Sequence, residues 1–82
     1  MQVTIKYFAA IREAVGRASE LRETSATTLA GLRDELLVAD SGYNSLSRGR
    51  AVRMALNQVM CDESAKLAAG CEVAFFPPVT GG

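Results

Sequence analysis

The chain has 82 residues, of which 49% are hydrophobic, so we expect one small globular domain with roughly 60–65% of its unfolded surface buried. Nine basic residues balance nine acidic ones, which excludes a cationic surface field for nucleic acid or an anionic membrane. There is no histidine, and two cysteines, Cys61 and Cys71, are too few for a closed zinc site or a disulfide framework, so we expect no metal site and no self-contained side-chain catalysis.

The first third of the chain predicts two strands separated by a short helical segment. Every second residue from Val3 to Tyr7 is apolar, which is typical of a strand with one buried face. Apolar residues at helical spacing from Phe8 to Val15 predict a short helix, which Gly16 can close in the left-handed conformation. The polar stretch from Arg17 to Glu23 then predicts an edge strand paired with the first one.

The main helix is predicted to begin after Thr28, a plausible N-cap. Apolar side chains at helical spacing form its buried stripe, namely Leu29, Leu32, Leu36 and Leu37. The charged residues between them, Arg33, Asp34 and Glu35, are expected to face water.

The second half predicts a loop and three strands. The polar, Ser- and Gly-rich segment from Asp40 to Arg50 is interpreted as a loop. Alternation predicts a strand over 52–56, a short strand over 59–61, and a last strand over 72–76 with Val73 and Phe75 on its buried face. Pro77 and Pro78 end that strand because proline cannot donate ladder hydrogen bonds.

This element order indicates an α+β domain with a mixed sheet and one main helix packed across one face. It is the order of the ubiquitin-like β-grasp fold, in which the first and last strands lie parallel and adjacent in the middle of the sheet. We expect the domain to cover residues 1–78 and a flexible carboxyl-terminal tail to cover residues 79–82.

No targeting segment is recognisable in the sequence. The first residues alternate polar with apolar side chains instead of forming the apolar block of a signal peptide. The longest apolar runs fall far short of the ~18 residues that indicate a membrane span. We therefore expect a cytoplasmic protein without a membrane partner.

The best reactive group in the sequence is the carboxylate of Gly82, at the end of the tail Val79-Thr80-Gly81-Gly82. From Pro77 the last six residues extend about 20 Å, and glycine lacks Cβ, so Gly81 and Gly82 suit a narrow channel in a partner. A partner that forms an acyl-adenylate from ATP would activate this carboxylate, and a sulfur nucleophile would then leave a thiocarboxylate. The alternative for the tail is an inert, frayed end.

Both ends of the chain resemble the family of the small subunit of molybdopterin synthase. The resemblance lies in the ending EVAFFPPVTGG, in Tyr7-Phe8-Ala9 with the residues after it, and in Asn57-Gln58. It implies that a ubiquitin-activating-like adenylyltransferase adenylates Gly82 with ATP, and that the thiocarboxylate formed next passes its sulfur to cyclic pyranopterin monophosphate, forming the dithiolene of molybdopterin. It also implies a heterotetramer of two carriers and two large subunits, with no cofactor bound permanently to the carrier.

Alternation along the strands also predicts a docking face. If the buried residues of the first and last strands face the helix, then Phe8, Met60 and Phe76 form an apolar group on the solvent side of the sheet. In the family that the chain resembles, these positions meet the large subunit. A secondary core is the alternative, because a register shift of one residue exchanges the two faces.

Three other functions are compatible with the pattern. A carrier of the thiamine type has similar tail chemistry but usually a shorter chain without the FFPPVTGG ending. A ubiquitin-like modifier would finish as an isopeptide on a target lysine. A pure interaction domain would carry an inert tail. Both cysteines are interpreted as small core residues rather than a sulfur relay.

Overall fold

The computed structural model describes residues 1–47 and 51–78. Five strands, two α-helices and one 3₁₀ helix follow one another along these ranges. In chain order they are β1 (Gln2–Tyr7), α1 (Ala9–Val15), β2 (Ser19–Glu23), α2 (Leu29–Ala39), the 3₁₀ helix (Ser41–Leu46), β3 (Arg53–Leu56), β4 (Val59–Cys61) and β5 (Glu72–Phe76).

The strands form one mixed sheet in the order β2-β1-β5-β3-β4. The first and last strands are parallel neighbours, with Ile5 opposite Val73 and Tyr7 opposite Phe75, and every other pairing is antiparallel. This is the β-grasp topology that the element order predicted. The two central strands are therefore those that begin and end the domain.

The core lies between α2 and one face of the sheet. The predicted inward residues of β1 and β5 are all buried, as are the predicted leucines of α2 except the half-buried Leu37. Both predicted helix boundaries are confirmed as well. Thr28 Oγ1 accepts a hydrogen bond from the Gly31 N–H at 3.2 Å, and Gly16 ends α1 with a φ of 90°.

The charged residues of α2 do not all face water as expected. Arg33 is only 4% exposed, and its guanidinium donates a hydrogen bond to the Glu63 carboxylate in the connection between β4 and β5. Glu35 is half-buried, because it accepts hydrogen bonds from Arg22 Nε at 2.7 Å and from the Thr24 hydroxyl at 2.9 Å. Segments on both sides of the helix therefore enclose two of its charges, and only Asp34 is exposed as predicted.

The prediction of a loop over residues 40–50 is wrong for its first part. Ser41–Leu46 forms the 3₁₀ helix, which begins where Asp40 Oδ1 accepts the Gly42 N–H at 2.7 Å. Tyr43 is buried in this helix: its ring lies 6.2 Å from that of Tyr7, and its hydroxyl donates to the Glu20 carboxylate at 2.9 Å. The polar composition of the segment concealed core residues, and residues 48–50 lie outside the described ranges.

The hydrogen bonds of Glu35 lead to a pH-dependent prediction. Burial by itself raises the pKa of Glu35, but the hydrogen bonds from Arg22 and Thr24, together with the Arg22 charge, outweigh it and lower the pKa below its usual value. The ionised carboxylate therefore stabilises the fold above the unfolded-state pKa, and this stabilisation is lost as the pH falls through the lower, folded-state value.

We expect Glu35→Gln to reduce the free energy of unfolding by about 1 kcal/mol at pH 7, and by less at pH 3. Urea denaturation at both pH values measures the difference. Glu13→Gln, at an exposed position of α1, is the matched control. An equal loss at both pH values would contradict a role for the ionised carboxylate.

Candidate functional site

The face of the sheet opposite α2 has a floor of small side chains. Strand register places Lys6, Ala74, Ala55 and Met60 in one row across β1, β5, β3 and β4. Ala55 and Ala74 are buried in the middle of this row, although they point away from the main core. Both side chains are small, and the larger residues around them cover most of their surface.

Two phenylalanines lie together at one end of this face. Phe8 precedes α1 in an extended conformation, and its N–H donates to the Phe75 carbonyl at 3.2 Å. This brings the Phe8 ring edge-on to the Phe76 ring, with centroids 6.3 Å apart and an interplanar angle of 86°. Phe8 is 46% exposed and Phe76 is half-buried, so the pair forms an apolar surface feature.

Met60 lies on the other side of Ala55 and Ala74, which we call the alanine floor. It is 56% exposed on the edge strand β4, two strand spacings or about 10 Å from β5. We use the name outer face for the surface formed by Phe8, Phe76, Met60 and the alanine floor. The structure thus places all three predicted docking residues on one side of the sheet, with two of them in direct contact.

Charged side chains border the outer face. Lys6 Nζ lies 3.3 Å from Glu72 Oε1, and Arg53 is exposed beside Phe76, its partner in the strand register. An apolar centre with a polar rim is the common anatomy of a protein–protein interface. The sequence alone did not predict the alanine floor or this charged rim. Alanine at outward positions of two neighbouring strands could have indicated the floor.

The Asn57-Gln58 pair has a structural role in the same sheet. Both residues have positive φ, 50° and 69°, and form the two-residue turn between β3 and β4. Asn57 Oδ1 also accepts the Glu72 N–H at 2.9 Å, which joins this turn to the start of β5. The motif therefore sets the position of Met60 relative to the central strand.

The predicted tail begins at the edge of the outer face. Phe76 is the last residue of β5, and the half-buried Pro77 and Pro78 follow it directly. The predicted reactive residues Val79, Thr80, Gly81 and Gly82 lie outside the described ranges. A partner that covers Phe8 and Phe76 is therefore close to the point where the tail starts.

Neither cysteine resembles a sulfur-relay residue. Cys71 is buried in the core, and Cys61 is half-buried against it. Burial, reinforced by the charge of Asp62, raises the pKa of the Cys61 thiol above its usual value. The thiol is therefore protonated at neutral pH and is a poor nucleophile.

Two further findings concern the described residues alone. Residues 1–47 and 51–78 contain no cluster of three or more metal-ligating side chains with the geometry to hold an ion. Within the same ranges, no helix is long and apolar enough to cross a membrane.

The order of the strands and the helix across one face define a ubiquitin-like β-grasp domain. The chain belongs to the ThiS family, whose model matches residues 5–82. This agrees with the family resemblance found at the two ends of the sequence.

Two relatives are named molybdopterin synthase sulfur carrier subunit. The protein of Escherichia coli is 31% identical over 80 residues, covering 98% of this chain and 99% of the relative. The protein of Mycobacterium tuberculosis is 35% identical over 85 residues, covering 100% of this chain and 99% of the relative.

Two solved structures share the whole fold. SAMP1 of Haloferax volcanii superimposes with a TM-score of 0.80 at 25% identity, covering 100% of both chains. A chain in the complex of subunits 1 and 2 of molybdopterin-converting factor from Helicobacter pylori superimposes with a TM-score of 0.71 at 26% identity, also covering 100% of both chains.

The exposure of the outer face leads to a stability prediction. Met60→Asp is expected to change the free energy of unfolding by at most about 0.5 kcal/mol, because its side chain already contacts water. Phe8→Asp is expected to cost about 1 kcal/mol, because the edge-on contact with Phe76 is lost. Phe75→Ala, in the core, is expected to cost about 3–5 kcal/mol. Urea denaturation of the three variants measures these values, and a core-sized loss for Phe8→Asp would support the secondary-core alternative.

Proposed function

We propose that this protein is a sulfur carrier of molybdopterin synthase and that its Gly82 carboxylate carries the sulfur. The observation that supports this most directly is the apolar outer face, which adjoins the start of a tail ending in Gly81-Gly82. Membership of the ThiS family and the names of the two relatives agree with it. The domain binds the partner, and the tail carries the reacting atom.

The proposed chemistry takes place on the terminal carboxylate in two activation steps. A carboxylate oxygen of Gly82 attacks the α-phosphate of ATP, which forms an acyl-adenylate and releases pyrophosphate. A hydrosulfide ion from the sulfur source then attacks the acyl carbon and displaces AMP, and the product is a thiocarboxylate. ATP is bound by the activating partner, so the carrier itself holds no permanent cofactor.

Sulfur delivery is the second half of the proposal. In the active site of the large subunit, the thiocarboxylate sulfur attacks a carbon of cyclic pyranopterin monophosphate and displaces an oxygen substituent from it, so that a thioester joins the carrier to the pterin. Water then hydrolyses this thioester, which leaves the thiol on the pterin and restores the Gly82 carboxylate. Repeated delivery supplies the sulfurs of the molybdopterin dithiolene. The catalytic side chains for these steps belong to the large subunit, and the carrier supplies the sulfur.

Two partners follow from this scheme. One is a ubiquitin-activating-like adenylyltransferase. The other is the large synthase subunit, with which the carrier would form a heterotetramer of two carriers and two large subunits. The Helicobacter pylori complex is named as one of subunits 1 and 2 of molybdopterin-converting factor, which supports the large subunit as a partner. From Pro78 the four tail residues reach only about 13 Å, so either partner must lie against this end of the domain.

The first test is the formation of the thiocarboxylate. Incubation with the activating enzyme, ATP and a sulfur source is expected to raise the intact mass by one oxygen-to-sulfur exchange. Deletion of Gly82 is expected to abolish this change, whereas Val38→Ser, on the exposed side of α2, should leave it intact. Absence of both the adenylate and the thiocarboxylate in the unaltered chain would refute the proposal.

The second test concerns the docking role of the outer face. Met60→Asp and Phe8→Asp are expected to weaken binding to the large subunit at least about tenfold, since burying an unpaired carboxylate opposes docking. Val38→Asp is the matched control, because Val38 is 89% exposed on α2, which packs on the opposite face of the sheet. Calorimetric titration measures the affinities, and equal weakening by all three variants would argue against this docking face.

A ubiquitin-like modifier is the second candidate, because SAMP1 of Haloferax volcanii, which shares the fold, is named small archaeal modifier protein 1. A modifier would form higher-mass conjugates in a cell extract, and these would disappear when Gly82 is deleted. A sulfur carrier would undergo the mass change described above without those conjugates. The names of the two relatives support the molybdopterin synthase carrier over both the modifier and a carrier of the thiamine type.

A further inference from the structure

A hollow of about 340 Å³ lies at the end of the domain where β5 finishes. It is open to solvent on one side, and most of its walls are small apolar residues. The hollow is lined by residues of two helices and of two segments next to strands, among them Ala10, Ile11 and Ala14 of α1, Ser45 of the 3₁₀ helix, Val52 before β3, and Pro77 after β5. The docking residues of the outer face do not line it.

The hollow adjoins the outer face along two segments of chain. Phe8 is the N-cap of α1, whose later residues form one wall, and Phe76 directly precedes Pro77, which forms another. A partner whose active site holds Gly82 must come within about 13 Å of Pro78, the reach of the four tail residues. Such a partner extends from the outer face across the mouth of the hollow.

The walls favour an apolar occupant. Within residues 1–47 and 51–78, the residues that line the hollow carry one hydroxyl, that of Ser45, and no charge. A phosphorylated pterin would leave its charges unpaired in such a site. An apolar side chain of a protein partner would instead remove both itself and the alanine walls from water.

Ser45 adds a polar requirement to this site. Its Oγ is buried and has no hydrogen-bond partner in the part of the chain that the structure describes. Ser45 also lines the hollow, so its hydroxyl is the polar group that the described walls offer to a partner there. An incoming main-chain carbonyl could then accept a hydrogen bond from it.

We propose that this hollow receives an apolar side chain of the large subunit, next to a main-chain carbonyl that accepts a hydrogen bond from Ser45. The inference rests on the proposed function, and it adds a second contact site to the outer face. The large subunit is the preferred occupant because the similar chain from Helicobacter pylori is found in a complex of subunits 1 and 2 of molybdopterin-converting factor. Together the two contact sites would hold the domain at the end of β5, one at Phe76 and the other at Pro77.

The test fills the hollow from an exposed position. Ala14→Leu places a larger side chain in the hollow, and leucine is nearly as good a helix former as alanine, so the domain should keep its stability. Ala39→Leu, at the exposed end of α2 and outside the lining, is the matched control. We expect Ala14→Leu to weaken calorimetric binding to the large subunit at least about tenfold, and Ala39→Leu to leave the affinity unchanged.

Ser45→Ala tests the hydrogen bond separately. Loss of an unpaired buried hydroxyl should leave the unfolding free energy of the free chain unchanged or slightly higher, whereas loss of a bond to the partner should weaken binding by about threefold to tenfold. Opposite effects on stability and affinity would support the proposal. Unchanged affinity would overturn the proposed hydrogen bond.

The remaining outcomes separate this inference from the proposed function. If the unaltered chain forms the thiocarboxylate and binds the large subunit, but Ala14→Leu binds equally well, the role of the hollow is overturned and the carrier function stands. If Ala14→Leu impairs adenylation and leaves large-subunit binding unchanged, the occupant is the activating enzyme and the proposal is overturned. If the unaltered chain neither binds nor forms the thiocarboxylate, both proposals fail.

Discussion

The parallel pairing of β1 with β5 determines the arrangement of every functional feature of this domain. Parallel strands end at the same edge of a sheet, so the residue after β1 and the last residue of β5 become neighbours. Phe8 therefore contacts Phe76, although they are far apart in the chain. The same pairing brings α1 beside Pro77 and forms the hollow at the start of the tail.

The central position of these two strands separates core from interface. Side chains alternate between the two faces of a strand, so β5 buries Val73 and Phe75 beneath α2 and presents Ala74 and Phe76 on the outer face. Burial of a large apolar side chain contributes roughly 1.5–3 kcal/mol, which makes a shift of one residue prohibitively costly. The stability of the core thereby also fixes the orientation of the outer face.

Charged groups stabilise the rest of the frame from the sides of α2. Arg33 is bound by Glu63, and Glu35 is bound by Arg22, so the helix is connected both to the segment before β5 and to β2. Each connection joins segments that are distant in sequence. These contacts lie on the side of the sheet that α2 covers, and they leave the outer face free.

The sequence by itself determined the order of the elements, the buried face of each central strand and the helix caps at Thr28 and Gly16. These depend on local periodicity and on the conformational preferences of single residues, which can be recognised without knowing the contacts between distant segments. It also pointed to the outer face, since alternation alone separates inward from outward residues. Only the tertiary structure revealed that Arg33 is enclosed, that Tyr43 belongs to the core, and that Ser45 lines a hollow beside the tail. Each of these depends on contacts between segments far apart in the chain, which local composition does not encode.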